Sequence, residues 1–166
     1  MSRALAVEAL SAEAFQPFGD VIMVQGAETH LINQGTTTRF HDLANIDVGA
    51  QGGVPLISIF RAVARAFPLR IEMLERHPLG SQAFFPLSDF DWMVVVAEGA
   101  GQPELETMRC FRACGDQGVN YRPGIWHHPL VVLAPSQDFI VVDRGGKGDN
   151  LEERQILPAD ARMVSL

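Results

Sequence analysis

Only two of the 166 residues are cysteine, Cys110 and Cys114. Two are too few for a disulfide framework or a four-ligand zinc knuckle. Free, buried thiols in a reducing cytoplasm are the reading that remains, each serving as a small hydrophobe. Positive charge is also short: 13 Lys and Arg against 20 Asp and Glu leave a net charge of −7 and a pI near 5.1. Nucleic acids and anionic membrane surfaces select basic patches, so neither is expected as a partner. No stretch approaches the length of a transmembrane helix. The stretch Met1–Glu8 lacks the uninterrupted apolar core of a signal peptide, which again points to the cytoplasm. Helix signals are as sparse as charge. Ser11 can cap one short helix, Ala12–Gln16, which Pro17 and Gly19 end.

The chain does have apolar content, 47%, with 20% charged residues, in a length suited to one domain over residues 1–166. Nearly all of it falls in strand-like segments: Val21–Val24, His30–Asn33, Thr36–Leu43, Leu56–Arg65, Leu69–His77, Gln82–Leu87, Trp92–Ala97, Leu105–Ala113, Gly118–Tyr121, Trp126–Ala134 and Asp138–Asp143. Glycine, proline, asparagine or aspartate marks nearly every junction, as in an all-β barrel or sandwich. Gly49–Gly53 and Gly145–Asn150 read as loops. The second resembles a phosphate loop only superficially, since the Gly-Lys-Ser/Thr spacing and the following helix are missing. Gly99-Ala-Gly101 lacks the rest of a dinucleotide fingerprint.

Two stretches carry chemistry. Leu74–Pro86 begins as the end of an alternating strand, Ile71–His77, whose Ile71, Met73, Glu75 and His77 share one face. Pro78-Leu-Gly-Ser81 then turns the chain, and Gln82 opens the next strand nearby. Farther on, a Pro123-Gly124 turn delivers Trp126 and His127 into another apolar strand. Adjacent strand residues face opposite ways, so only one of His127 and His128 can join Glu75, and His128 is expected outside or at an interface. These spacings resemble the two motifs of the cupin superfamily of small antiparallel β-barrels, the first falling on Glu75, His77 and Gln82, the second on His127. Two imidazoles and a carboxylate can hold a divalent transition metal. An amide at Gln82 is a poor fourth ligand, and the expected site is weak or exchangeable.

Arg39, Arg61 and Arg144 are the candidates for binding a substrate carboxylate, because the guanidinium fork matches a carboxylate and an unpaired arginine in a strand is costly. For any single one of them, a simple ion pair with Asp42, Glu72 or Asp143 is the favoured reading. Tyr121, the one tyrosine, stands just before the Pro-Gly turn, either as a proton-transferring hydroxyl or as a core aromatic.

Longer segments extend the resemblance. Leu74–Pro86, Gln117–Tyr121, Trp126–Leu130 and Asp143–Gly146, with Ile32–Gly35 and Arg39–Leu43, are similar to the ureidoglycolate lyase family, formerly called ureidoglycolate hydrolases, across nearly the whole chain. The resemblance implies a cupin-type jelly roll with one short N-terminal helix, homodimeric. It implies cleavage of ureidoglycolate to glyoxylate and urea in allantoin degradation, with a divalent metal, usually nickel. Glu75, His77 and Tyr121 would be the catalytic residues, and Glu75, His77, Gln82 and His127 the metal ligands. The reaction needs a hydroxyl proton removed and the departing nitrogen protonated, but no covalent nucleophile. A non-catalytic binding module for a small acid and a metal-dependent oxygenase or isomerase are the other classes such a scaffold admits.

Overall fold

A computed structural model of the chain describes residues 3–166. Met1 and Ser2, with which the expected absence of a leader begins, lie outside them. The organising strand is Trp92–Ala97, buried at all six positions. A strand apolar at every position must be covered on both faces. Trp92, Val94 and Val96 point into one core, and Met93, Val95 and Ala97 into another.

That strand lies within a seven-stranded sheet. The order runs Glu152–Gln155, Met73–Arg76, Trp126–His127, Trp92–Ala97, Arg109–Ala113, Val7–Ala9, with Val131–Val132 also paired to Trp92–Ala97. The first core joins it to a five-stranded sheet ordered Gly19–Ile22, Gly118–Tyr121, Gln82–Pro86, Ser136–Gly145, Val54–Val63. Phe84, Tyr121, Phe139 and Val141 meet Trp92, Val94 and Phe111 there, and the Trp92 and Phe139 rings pack edge to face at 4.9 Å. Burying each such side chain is worth roughly 1.5–3 kcal/mol. On the other side of Trp92–Ala97, the second core joins a three-stranded sheet of Arg3–Ala4, Arg162–Val164 and Leu69–Ile71. The hairpin Glu28–Ile32/Thr37–His41 forms a separate two-stranded sheet.

The expected all-β class is the observed one. The single α-helix among the described residues, Ala12–Phe15, is one residue shorter than expected, and Ser11 Oγ caps it by accepting from the Ala14 N–H at 3.2 Å. Most pairings are antiparallel, but Arg3–Ala4 and Val7–Ala9 add to their sheets in parallel. Cys110 is buried as expected; Cys114 is exposed, because it lies beyond the end of Arg109–Ala113.

Three of the long expected strands are broken: Leu105–Ala113 opens as a 3-10 turn over Leu105–Thr107 ahead of the strand Arg109–Ala113, and the other two breaks bear on the site. Leu69–His77 is interrupted at Glu72, whose carbonyl accepts from the Ile156 N–H at 2.7 Å. The interruption shifts the phase: Ile71 and Leu74 enter the second core together, so Ile71 does not share a face with Glu75. Trp126–Ala134 is broken around Pro129, which has no N–H to give to a ladder.

Candidate functional site

Glu75 sits on Met73–Arg76 and is the direct cross-strand partner of His127. Opposed strand residues have their Cβ atoms about 5 Å apart, so register alone brings carboxylate and imidazole together. The turn ahead of His127 is fastened to the same strand. Gly124 has φ of 80°, a left-handed conformation that favours glycine, and its N–H donates to the His77 carbonyl at 2.9 Å. As a result, a ligand atom from each of Glu75, His77 and His127 lies within 4.8 Å of the other two. Gln82, on the adjacent sheet's strand, is buried, with Oε1 unpartnered and Nε2 3.4 Å from Asp143 Oδ2.

Backbone carbonyls set the tautomers. His127 Nδ1 is 2.9 Å from the Ile125 carbonyl and His77 Nδ1 is 2.7 Å from that of Asn150. A carbonyl only accepts, so each Nδ1 carries a hydrogen and each neutral ring keeps its lone pair on Nε2. Both Nε2 atoms are buried without a hydrogen-bond partner among the described residues; His127 Nε2 approaches Glu75 Oε1 only to 3.6 Å. Buried polar atoms are rarely left unpaired in folded proteins. Histidines that bind metals are oriented in this way, by a carbonyl on the other ring nitrogen. Two imidazole nitrogens and one carboxylate oxygen fit a divalent transition metal.

Burial works to raise the Glu75 pKa, but His127, and behind it His77 and His128, outweigh it and hold the carboxyl below its usual range. Burial, reinforced by His127, keeps the His77 pKa below the ordinary imidazole value. At neutral pH the cluster therefore holds a carboxylate beside a neutral His77. Tyr121 stacks on the His127 ring, centroids 4.2 Å apart and planes 11° from parallel. Burial first, and then the Glu75 charge, raise its pKa, so its hydroxyl stays protonated.

These groups open onto a cavity of about 560 Å³, whose wall includes Glu75, Gln82, Tyr121 and His127. His77 stands behind Glu75 and is not part of that wall. His128 is part of it, buried, contrary to its expected outward position. Alternation holds only while the strand continues; Trp126–His127 ends before Pro129, and the His128 N–H instead donates to the Val95 carbonyl at 2.9 Å. Its Nδ1 is 2.7 Å from the Pro129 carbonyl, and burial is the main cause pushing its pKa down to about 4.

The arginines divide. Arg61 lines the cavity but gives Nε and Nη2 to Asp138, both at 2.8 Å, across the register that pairs those residues. Arg144 is buried away from the cavity wall. Its guanidinium donates to the Ala50 carbonyl at 3.0 and 2.7 Å and to the Lys147 carbonyl at 2.8 Å, tying together the two loops read as Gly49–Gly53 and Gly145–Asn150. A Cβ on Gly80 would lie 2.6 Å from the Arg144 stem, so a glycine there makes room for the clamp. Arg39 lies on the exposed hairpin, outside the wall. Sequence reasoning passed over Arg65, four residues beyond Arg61 at the end of the same segment. Arg65 lines the mouth and has no hydrogen-bond or ion-pair partner among the described residues. It also passed over Asn150, whose carbonyl fixes His77 and whose Oδ1 accepts from the Leu79 N–H at 2.8 Å.

A family profile described as "Ureidoglycolate lyase" matches residues 2–161. A ureidoglycolate lyase of Burkholderia mallei is 55% identical over 154 residues, covering 93% of this chain and 90% of that protein. One of Brucella melitensis is 56% identical over 149 residues, covering 90% and 88%. Among solved structures, a 3,4-ketoisomerase from Helicobacter canadensis is similar at a TM-score of 0.45 and 10% identity, covering 80% of this chain and 87% of that one, a likeness too distant to bear on function.

Proposed function

The chain belongs to the ureidoglycolate lyase family, and we propose on that premise that its cavity cleaves ureidoglycolate to glyoxylate and urea, as a step of allantoin degradation in the cytoplasm. The observation that carries the reading is the pair of unpartnered Nε2 lone pairs of His77 and His127 beside a charged Glu75, with a protonated Tyr121 on the same wall.

The substrate is a carbinolamide: one carbon bears a carboxylate, a hydroxyl and the ureido nitrogen. Glu75 takes the hydroxyl proton, the oxygen's electrons form the aldehyde, and the C–N bond breaks with its pair going to nitrogen. The nitrogen must then gain one proton, so the proton Glu75 collected is the one urea carries away. Tyr121, held protonated, donates a hydrogen bond to the departing urea, and stacking keeps the His127 ring flat against it. Positioned acid–base catalysis of this kind contributes roughly 10²–10⁴-fold. A divalent metal, nickel by the family resemblance, would be held by Glu75, His77 and His127 with Gln82 as a weaker fourth ligand, and would supply polarisation of the substrate's oxygens. The carbonyl-oriented rings and the orphaned Nε2 atoms support that assignment.

The functional unit in this reading is a homodimer. Val54–Val63 is the edge of the five-stranded sheet, and Ile57, Ile59 and Val63 on it are 77%, 56% and 67% exposed. Edge strands with apolar side chains are rarely left bare. Ile140, on the strand paired with Val54–Val63, adds a further exposed apolar side chain.

Product analysis tests the reaction. Purified protein given ureidoglycolate should release glyoxylate and urea in equal amounts. Ammonia in place of urea would make it an amidohydrolase and overturn the proposal.

A further inference from the structure

The uncommitted polar atoms of the cavity wall are unevenly distributed. His127 and His128 both turn Nδ1 to a backbone carbonyl, so each neutral ring presents a lone pair at Nε2, that of His127 3.6 Å from Glu75 Oε1. The inner wall is thus rich in acceptors. With Glu75 and His127 assigned to a metal, the His128 Nε2 lone pair is the imidazole acceptor left on this wall, and the ureido nitrogens carry three N–H donors that match it. At the mouth the chemistry reverses. Arg61 is engaged by Asp138, whereas Arg65, exposed on the wall of the same cavity as His128, has no hydrogen-bond or ion-pair partner among the described residues.

We propose that His128 and Arg65 form the two ends of a recognition subsite, His128 Nε2 accepting an N–H of the ureido group and Arg65 pairing with the carboxylate. The ligand class is a small 2-hydroxy acid bearing an N-carbamoyl group, and the inference rests on the ureidoglycolate reading above. It makes His128 the residue that distinguishes a ureido substrate from an analogue lacking those donors. A site built around a hydrogen bond discriminates in this way because the unmatched buried acceptor is left unpaired.

The two products carry the two halves of the recognition, so they can be tested separately. Binding of glyoxylate and of urea is measured by calorimetry, alongside ureidoglycolate kinetics, for the wild type, His128→Leu, His128→Gln and Arg65→Gln. The leucine variant should weaken urea binding and raise KM by about tenfold, the scale of one lost hydrogen bond, while leaving glyoxylate binding unchanged. Glutamine at 128, whose amide oxygen can accept, should restore most of it, and it carries the test should the leucine variant not fold. Arg65→Gln should do the reverse, weakening glyoxylate roughly 10- to 100-fold, as expected for a charged pair, and sparing urea. Loss of both products together in either variant, no effect in either, or glutamine at 128 behaving like leucine would overturn the assignment. A wild type that binds both products in this crossed pattern but never turns over ureidoglycolate would refute the reaction and uphold the subsite.

Discussion

A buried ionisable group stays charged only where its neighbours favour the charge. The imidazoles around Glu75, His127 first, favour its charged form, and burial disfavours the protonated forms of His77 and His128. The same arrangement makes the metal-free protein sensitive to acid. His128 is held at about 4 in the folded state against an ordinary 6.5, so its contribution is fully present above pH 6.5. As pH falls from 6.5 towards 4, the unfolded chain takes up a proton that the folded one refuses, and stability drops by at most about 3 kcal/mol. Urea denaturation at pH 7 and at pH 4.5 should show this loss, and His128→Gln should flatten it. The glutamine variant losing as much stability as the wild type would place the titration elsewhere. Glu75, His77 and His127 were legible in the sequence because strand register and a Pro-Gly turn are local signals. The inward turn of His128 was not, since it depends on the ladder ending before Pro129, and neither was the Arg144 clamp, which joins loops 94 residues apart.

At the scale of elements, strands with an apolar pattern of their own were readable: Trp92–Ala97 and Gly118–Tyr121 fall where expected to the residue. Glu152–Gln155 and Arg162–Val164 were not, because strands of three or four residues are too short to show a pattern and take their conformation from the partner they pair with. Glu152–Gln155 lies along Met73–Arg76, and Arg154 joins Arg76 over the Trp126 ring, at 5.7 and 4.7 Å from its centroid. The edge strand Val54–Val63 makes a separate demand, since its apolar face needs cover. Ile57→Arg places a charge at the most exposed apolar position of that strand and should lower the sedimentation mass from a dimer to about that of the 18.2 kDa chain. An undisturbed dimer would place the interface elsewhere.

The whole molecule holds the site between its two large sheets. Met73–Arg76 and Trp126–His127 of the seven-stranded sheet bring Glu75 and His127, and Gly118–Tyr121 and Gln82–Pro86 of the five-stranded sheet bring Tyr121 and Gln82. A ligand gripped from both sheets should stabilise the fold as a unit. Nickel added to stripped protein should therefore bind at about one ion per chain and raise the melting temperature. Neither effect should appear in His77→Ala or His127→Ala; equal binding by both variants would place the metal outside this cluster. The most direct measurement is the rate of glyoxylate release from ureidoglycolate by Glu75→Gln, in protein whose melting curve shows it folded. Whether Glu75 acts as base, as metal ligand or as both, its carboxylate is required, and the rate should fall by roughly 10²–10⁴-fold. A folded Glu75→Gln protein that releases glyoxylate at the wild-type rate would contradict the account.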